Sequence, residues 1–185
     1  EICACLVGSE MCIRDRYNLQ VRFVQEEDAE FITKLRTDVR LSRFIHQIDD
    51  DVEGQKKWIR DYKKREALGI DYYFIYLQNG ERLGLNRLYD ITENEFTGGS
   101  FVFKPKCPIE CPILATLISF DIAFNMLDKK VANGDIRLGN KKVLKFHKLL
   151  NVEFTTQDEL NQYYVYYRDT FNKQMSIIER MLGVN

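Results

Sequence analysis

Residues 71–105 read DYYFIYLQNGERLGLNRLYDITENEFTGGSFVFKP. DYYFIYLQ is rich in the aromatic and β-branched residues that suit a strand. Asn79 and Gly80 follow it, a pair that tolerates the positive φ angles of a two-residue hairpin turn. RLGLNRLYDI is then the return strand, TENEF a connector, and GGSFVFKP a third strand closed by Pro105. The stretch predicts a three-stranded antiparallel meander. The 12 Phe and 10 Tyr of the chain also favour a sheet over a plain helical bundle.

Upstream, Leu19, Val21 and Phe23 alternate with polar residues as a short strand does. EEDAEFITKLRTDVR (26–40) places Phe31, Ile32, Leu35 and Val39 on one helical face, with its acidic residues in the first turn. A second helix over residues 50–68 carries Val52, Trp58, Ile59 and Tyr62 and stops at Gly69. Downstream, the KCPIECP loop leads into a long apolar helix from Ile113 to Leu127. A strand near VANGDIRL follows, with Gly134 and Asp135 read as a turn, then the helix KKVLKFHKLL. A strand or hairpin runs through residues 153–167, where the tyrosines Tyr163, Tyr164, Tyr166 and Tyr167 should place every second side chain in the core. An amphipathic helix over 173–182 ends the pattern. The order β-α-α-β-β-β-α-β-α-β describes one α/β (α+β) domain, a mixed central sheet of about six to seven strands flanked by helices. A dinucleotide-binding fold would carry a glycine-rich turn after its first strand, and residues 24–30 contain no glycine.

The 185 residues carry 45% apolar and 30% charged residues with a formal net charge of −1. That balance supplies no long-range attraction for polyanions, so neither nucleic acid nor a membrane is expected as a partner. No apolar run approaches the roughly 20 residues of a membrane span.

EICACLVGSEMCIRDR, residues 1–16, holds three of the five cysteines. Within it LVGSEMCIRD matches, residue by residue, one reading frame of a transposase-type sequencing adapter. The segment reads as a translated artefact, and the domain as residues 17–185. Two cysteines then remain, Cys107 and Cys111, whose spacing matches no zinc pattern, so no metal is expected. A reducing, cytoplasmic setting suits them.

The element order, together with VRFVQEEDAEFITKLRTD and AFNMLDKKVANGDIRLGNKKVLKFHKLLNVEF, resembles the GNAT superfamily of acyl-CoA-dependent N-acyltransferases over about residues 19–167. The matching positions are Ala123, Phe124, Leu127, Val131, Asn140 and Phe154. The helix QKKWIRDYKKR, the paired strands and GGSFVFKP make it similar to ribosomal-protein and nucleotide-amino-sugar N-acetyltransferases, with the amino-sugar branch favoured. The resemblance implies acetyl transfer from acetyl-CoA to a primary amine, foremost that of a nucleotide-linked amino sugar. Its alternatives are a protein N-terminal or ribosomal-protein acetyltransferase and a non-catalytic acyl-CoA-binding module. A homodimer is compatible with it.

The resemblance also implies a site. The pantetheine arm would lie along FVFK, beside Phe101, Phe103 and Lys104. The pyrophosphate would sit on the loop carrying Lys106, Cys107, Ile109 and Cys111, at the N-terminus of a helix beginning near Ile113. KCPIECP departs from the family pattern: it has no glycine, two prolines without N–H, and Glu110 near the phosphates. Asn140 falls near the cofactor and equally suits a helix N-cap. Phe146 stands where relatives carry a tyrosine, and His147 beside it lies about 100° further round the helix, facing either the site or the surface. The strand glutamate of relatives falls on Gly98, which leaves Glu95 as the nearest carboxylate. Tyr89 and Ser100 could orient a hydroxyl or water. On the substrate side LSRFIHQIDDD offers Arg43, Phe44 and His46, with Arg43 suited to a phosphate or carboxylate. A solvated helix linker is the rival reading of that segment.

Overall fold

A computed structural model describes residues 14–16 and 19–183. The strands are β1 (Arg14–Arg16), β2 (Leu19–Phe23), β3 (Tyr72–Gln78), β4 (Glu81–Tyr89), β5 (Glu95–Phe103), β6 (Val131–Arg137), β7 (Glu153–Gln157) and β8 (Asn161–Tyr167). The helices are α1 (Ala29–Thr37), α2 (Val39–Ser42), α3 (Val52–Ala67), α4 (Glu110–Asp121), α5 (Lys141–Leu149) and α6 (Arg168–Leu182). A 3₁₀ turn (Glu26–Asp28) precedes α1, and a π turn (Ile122–Met126) continues α4. The strands form one sheet in the order β1-β2-β3-β4-β5-β6-β8-β7. Every neighbouring pair is antiparallel except β5 with β6.

The mixed sheet and the single domain follow the sequence reading. The sheet has eight described strands rather than six to seven because residues 153–167 resolve into two and because Arg14–Arg16 adds a three-residue edge on β2. Residues 1–13 of the segment read as an adapter lie outside the described residues.

The meander forms where it was expected. Asn79 and Gly80 both take the left-handed conformation, with φ of 51° and 79°, as the tight turn between β3 and β4 requires. β3 is buried on both faces, which is why YYFIYL reads as a continuous apolar run. Its period of two divides it: Tyr73 and Ile75 pack with Ile32, Leu35, Ile59 and Tyr62 under α1 and α3, while Tyr72, Phe74 and Tyr76 join the larger core under α4. In that larger core Phe120, Phe124, Tyr166 and Phe171 pack ring to ring, with neighbouring centroids 5.3 to 6.1 Å apart. The alternation along β8 holds, with Tyr164 and Tyr166 buried and Tyr163 and Tyr167 partly exposed.

Three local expectations are corrected. The helix read over 26–40 breaks at Asp38, whose extended backbone and side chain cap α2 through Arg40 N, so Val39 faces solvent. The helix after the KCPIECP loop starts at Glu110, not near Ile113, because Pro112 falls in its first turn, where a missing N–H breaks no helical hydrogen bond. Gly134 and Asp135 make no turn; they continue β6, paired with Tyr164 and Tyr163 of β8.

Two buried carboxylates tie the layers together. Asp28 takes Arg22 at 2.6 Å and Arg82 at 2.7 Å. Asp71, just before β3, takes Arg65 of α3 at 2.8 Å and Arg87 of β4.

Candidate active site

The one parallel pair of the sheet is short. β5 meets β6 only through Glu95, Phe96 and Thr97, opposite Val131, Ala132 and Asn133. Beyond Thr97 each strand keeps its other neighbour: β5 stays on β4 to Gly84 opposite Phe103, and β6 on β8 to Arg137 opposite Asn161. The sheet therefore opens into a V. A bulge sharpens the divergence, since three residues of β4, Leu85 to Arg87, face four of β5, Val102 to Gly99. Ser100 sits in this bulge with φ of 52°, a conformation that costs a non-glycine residue about 1 kcal/mol or more. A cleft of about 1400 Å³ occupies the V.

Both arms of the V carry a glycine covered by a tyrosine from the adjacent strand. A Cβ on Gly99 of β5 would lie 2.9 Å from Cε1 of Tyr89, and one on Gly134 of β6 would lie 2.5 Å from Cζ and Oη of Tyr164. Only the missing side chains let the two phenols fold over the strands at the fork. Tyr89 and Tyr164 both line the cleft. Tyr164, which the sequence reading left among four strand tyrosines with every second one in the core, lines the cleft and was not named as a site candidate. The signal was present in Gly134, a glycine inside a strand, once it is not taken for a turn.

His147 faces the cleft and is buried, 9% exposed, rather than lying on the surface. Its Nδ1 lies 3.0 Å from the Val143 carbonyl, and its ring 4.8 Å from that of Tyr164. A carbonyl only accepts, so Nδ1 carries the proton and Nε2 keeps its lone pair. Burial pushes the pKa down from 6.5 to about 4, against the opposing pull of the Val143 carbonyl. The imidazole is therefore neutral at neutral pH. As pH falls from 6.5 toward 4, the unfolded chain takes up a proton that the folded chain refuses, and stability is lost over that window. The full cost is about 3 kcal/mol at about 1.4 kcal/mol per pKa unit. Melting curves of the wild type and His147→Gln should thus converge as pH drops from 7 to 4, and parallel curves would contradict the burial of a neutral imidazole.

Asn140 caps α5 by accepting from Val143 N at 3.4 Å, and it also lines the cleft, so its two readings coexist. Phe44, His46, Ser100, Phe101, Ile109, Ile113 and Phe146 line the same space. Seven sequence candidates stand apart from that lining. Glu95 lies at the closed end of the V, where it accepts from Asn133 Nδ2 at 3.0 Å. Phe103 turns into the core against Tyr76, Lys104 pairs with Glu81, and Cys111 is 1% exposed in the core. Lys106 and Cys107 sit in the approach to α4, and Arg43 stacks its guanidinium over Phe44 at 4.3 Å. Arg36, Trp58 and Arg87, which the sequence reading did not name as site residues, do line the cleft.

The residues present fit an acyl-CoA arm. The β5 edge past Thr97 is left unpaired by β6. The N-cap of α4, Ile109, contributes no side-chain cap; Cys111 N donates to the Pro108 carbonyl and Pro112 has no N–H, so within the first turn the Glu110 N–H is the one left for a phosphate oxygen. Glu110 in that first turn opposes an anion, and exposed Lys106 offsets it. Among the described residues no group of three or more His, Cys, Asp or Glu side chains is placed to hold a metal. No helix among them is long and apolar enough to cross a membrane.

A sheet that splits between a parallel pair, with a helix N-terminus at one arm and a bulge at the fork, is the arrangement that the resemblance to acyl-CoA-dependent N-acyltransferases implied. Solved structures agree. Apo FdhC, described as a nucleotide-linked sugar GNAT, is 30% identical, with a TM-score of 0.80 over 88% of this chain and 93% of that one. A ribosomal-protein-S5-alanine acetyltransferase from Vibrio fischeri is 15% identical, with a TM-score of 0.74 over 85% and 97%. A spermidine N-acetyltransferase from Vibrio cholerae, in complex with CoA and spermine, is 12% identical, with a TM-score of 0.71 over 84% and 98%. No protein-family model matches the chain, and no curated protein sequence does. The chain belongs to the GNAT family of N-acetyltransferases.

Proposed function

We propose that the protein transfers the acetyl group of acetyl-CoA to the primary amine of a nucleotide-linked amino sugar. The opening of the sheet past Thr97 and Asn133 carries the acyltransferase part of this reading. The similarity to a nucleotide-linked sugar GNAT supports the acceptor. Bound acetyl-CoA would supply an acetyl thioester; this chain's residues bind, orient and manage protons around it. The Ser100 bulge interrupts the β4–β5 ladder, and a backbone N–H left unpaired by a bulge is a donor suited to a thioester carbonyl oxygen. Holding amine and thioester together supplies several kcal/mol of the barrier reduction.

The attacking amine must lose a proton and the departing thiolate must gain one. His147 is a weak base, so its role is to accept a hydrogen bond from a water that relays the amine proton. Burial raises the Tyr89 and Tyr164 phenols above their ordinary pKa, which keeps both protonated as donors toward developing negative charge. The free thiols of Cys107 and Cys111 suit a reducing, cytoplasmic setting, and we read residues 1–16 as foreign to the enzyme.

The test is acetylation of an amine panel: a nucleotide-linked amino sugar, the same sugar without nucleotide, spermidine, and a peptide with a free N-terminus. The nucleotide-linked amine should give the highest kcat/KM by at least about tenfold, since losing a hydrogen-bonded charged group costs about 1.5–3 kcal/mol. Preference for the peptide or the polyamine would refute the acceptor assignment.

A further inference from the structure

We propose that Arg36 and Arg87, with Trp58, form an anion-binding wall on the acceptor side of the cleft that takes the diphosphate of a nucleotide-linked acceptor. The proposal rests on the acceptor reading above and adds the residues that would execute it. All three side chains line the cleft. They come from three elements, the end of α1, the middle of α3 and β4, so the wall exists only in the folded chain.

Arg87 is fixed in place. Asp71, its carboxylate 2% exposed, accepts from Arg87 Nε at 2.6 Å and also from Arg87 Nη2, while it accepts from Arg65 Nε at 2.8 Å. One carboxylate against two guanidiniums leaves a net positive charge, and Nη1 of Arg87 stays outside the pair. The Arg87 guanidinium lies over two rings, 5.2 Å from the Trp58 centroid and 5.0 Å from that of Tyr89. A guanidinium held by a buried acid and two aromatic rings loses little freedom when it meets an oxyanion.

Arg36 is a cation without a counter-ion. Its Nη2 donates to the His46 carbonyl at 2.8 Å, but no ion pair among the described residues includes it. Its Nε and the Tyr73 hydroxyl are both buried, and the two side chains interact with each other but without a well-formed hydrogen bond at either atom. An unpaired, half-buried guanidinium is costly, and a ligand oxyanion would remove that cost. Arg43, the arginine that the sequence suggested for this role, is spent on Phe44 and does not line the cleft.

Size and charge favour a diphosphate over a lone carboxylate. The cleft, at about 1400 Å³, exceeds the roughly 300–1,000 Å³ of an ordinary small-molecule site, so donor arm and nucleotide fit together. Of the exposed acids at the cleft, Asp135 lies on β6 across the V, where it suits the amine end, while Asp49 precedes α3 and Asp51 is engaged in capping it through Gly54 N.

Trp58 is the only tryptophan of the chain, so its fluorescence reports on the wall directly. The experiment titrates the full chain with UDP, dTDP and inorganic pyrophosphate, then repeats this for Arg36→Gln and Arg87→Lys after melting curves confirm that each is folded. Nucleoside diphosphate should change the emission saturably, and each variant should raise Kd at least tenfold. Should Arg87→Lys fail to fold, Arg36→Gln alone decides. Wild-type Kd in the folded variants, or no saturable change up to millimolar nucleotide, overturns the wall. Acetylation of a nucleotide-linked amine with an unchanged acceptor KM in both variants also overturns it while the proposed function stands. Arginine-dependent binding without acetylation of any nucleotide-linked amine keeps the wall and removes the acceptor reading.

Discussion

Asp71→Ala is expected to destabilise the protein by about 3 kcal/mol, because removing the acid from a buried ion pair leaves uncompensated charge behind. At roughly 2–4 °C per kcal/mol for a chain of this size, the melting temperature should fall by roughly 6–12 °C. The estimate sits at the low end of the usual range because the Arg65 and Arg87 side chains are 35% and 23% exposed and water can partly solvate them. Asp71 joins α3 to β3 and β4, so its loss loosens the contact that sets the Arg87 guanidinium against Trp58 and Tyr89. The residual activity of the variant should therefore show a raised KM for an anionic acceptor. A melting temperature within a degree of the wild type would mean that the triad contributes nothing to the fold.

Gly134→Ala should reduce kcat about a hundredfold, the usual price of displacing a site group by about 1 Å. The added carbon would stand 2.5 Å from Tyr164 Cζ and Oη. Tyr164 cannot swing aside freely, being 6% exposed, paired across the strand with Gly134 and packed on His147. Tyr164→Phe should lose much of the same activity, and the double variant should lose little more than Gly134→Ala alone, since both act through one hydroxyl. Gly98 is the contrasting position: a Cβ there would meet only Phe120, at 3.9 Å. Gly98→Ala should keep the melting temperature of the wild type. A fully active Gly134→Ala would show that the phenol at the fork has no part in turnover.

The fold was legible wherever local chemistry decides it. Asn79-Gly80 announced its turn, and the unbroken run in β3 announced a strand covered on both faces. The break at Asp38 was less visible, because Val39 continues the helical period of α1 although a cap intervenes. Gly134-Asp135 looked like a turn because a glycine beside an aspartate usually is one; the tyrosine lying over it appears only when β8 is paired with β6.

The site was legible in part for the same reason. Residues around the V that sit in one local segment, such as Ser100 with Phe101 or Phe146 with His147, could be named from sequence. The triad of Arg65, Asp71 and Arg87 spans three elements, and an ion pair formed by folding leaves no periodic mark. The point at which β5 and β6 part is marked in sequence only by the glycines that follow Thr97 and Asn133, and what they mean appears only once the strands are paired. Glu95 shows the converse. It carries the right chemistry but lies on the closed side of that point.

The account stands or falls on the V between β5 and β6 being an acyl-CoA site, and the melting temperature of the chain with and without acetyl-CoA tests this most directly. At one hundred times its dissociation constant a ligand specific for the folded state adds about 2.7 kcal/mol. For a chain of this size that is a rise of roughly 5–11 °C. Such a rise is the predicted result. An unchanged melting temperature at millimolar acetyl-CoA would contradict the assignment and mean that the glycine-free loop before α4 no longer holds the donor.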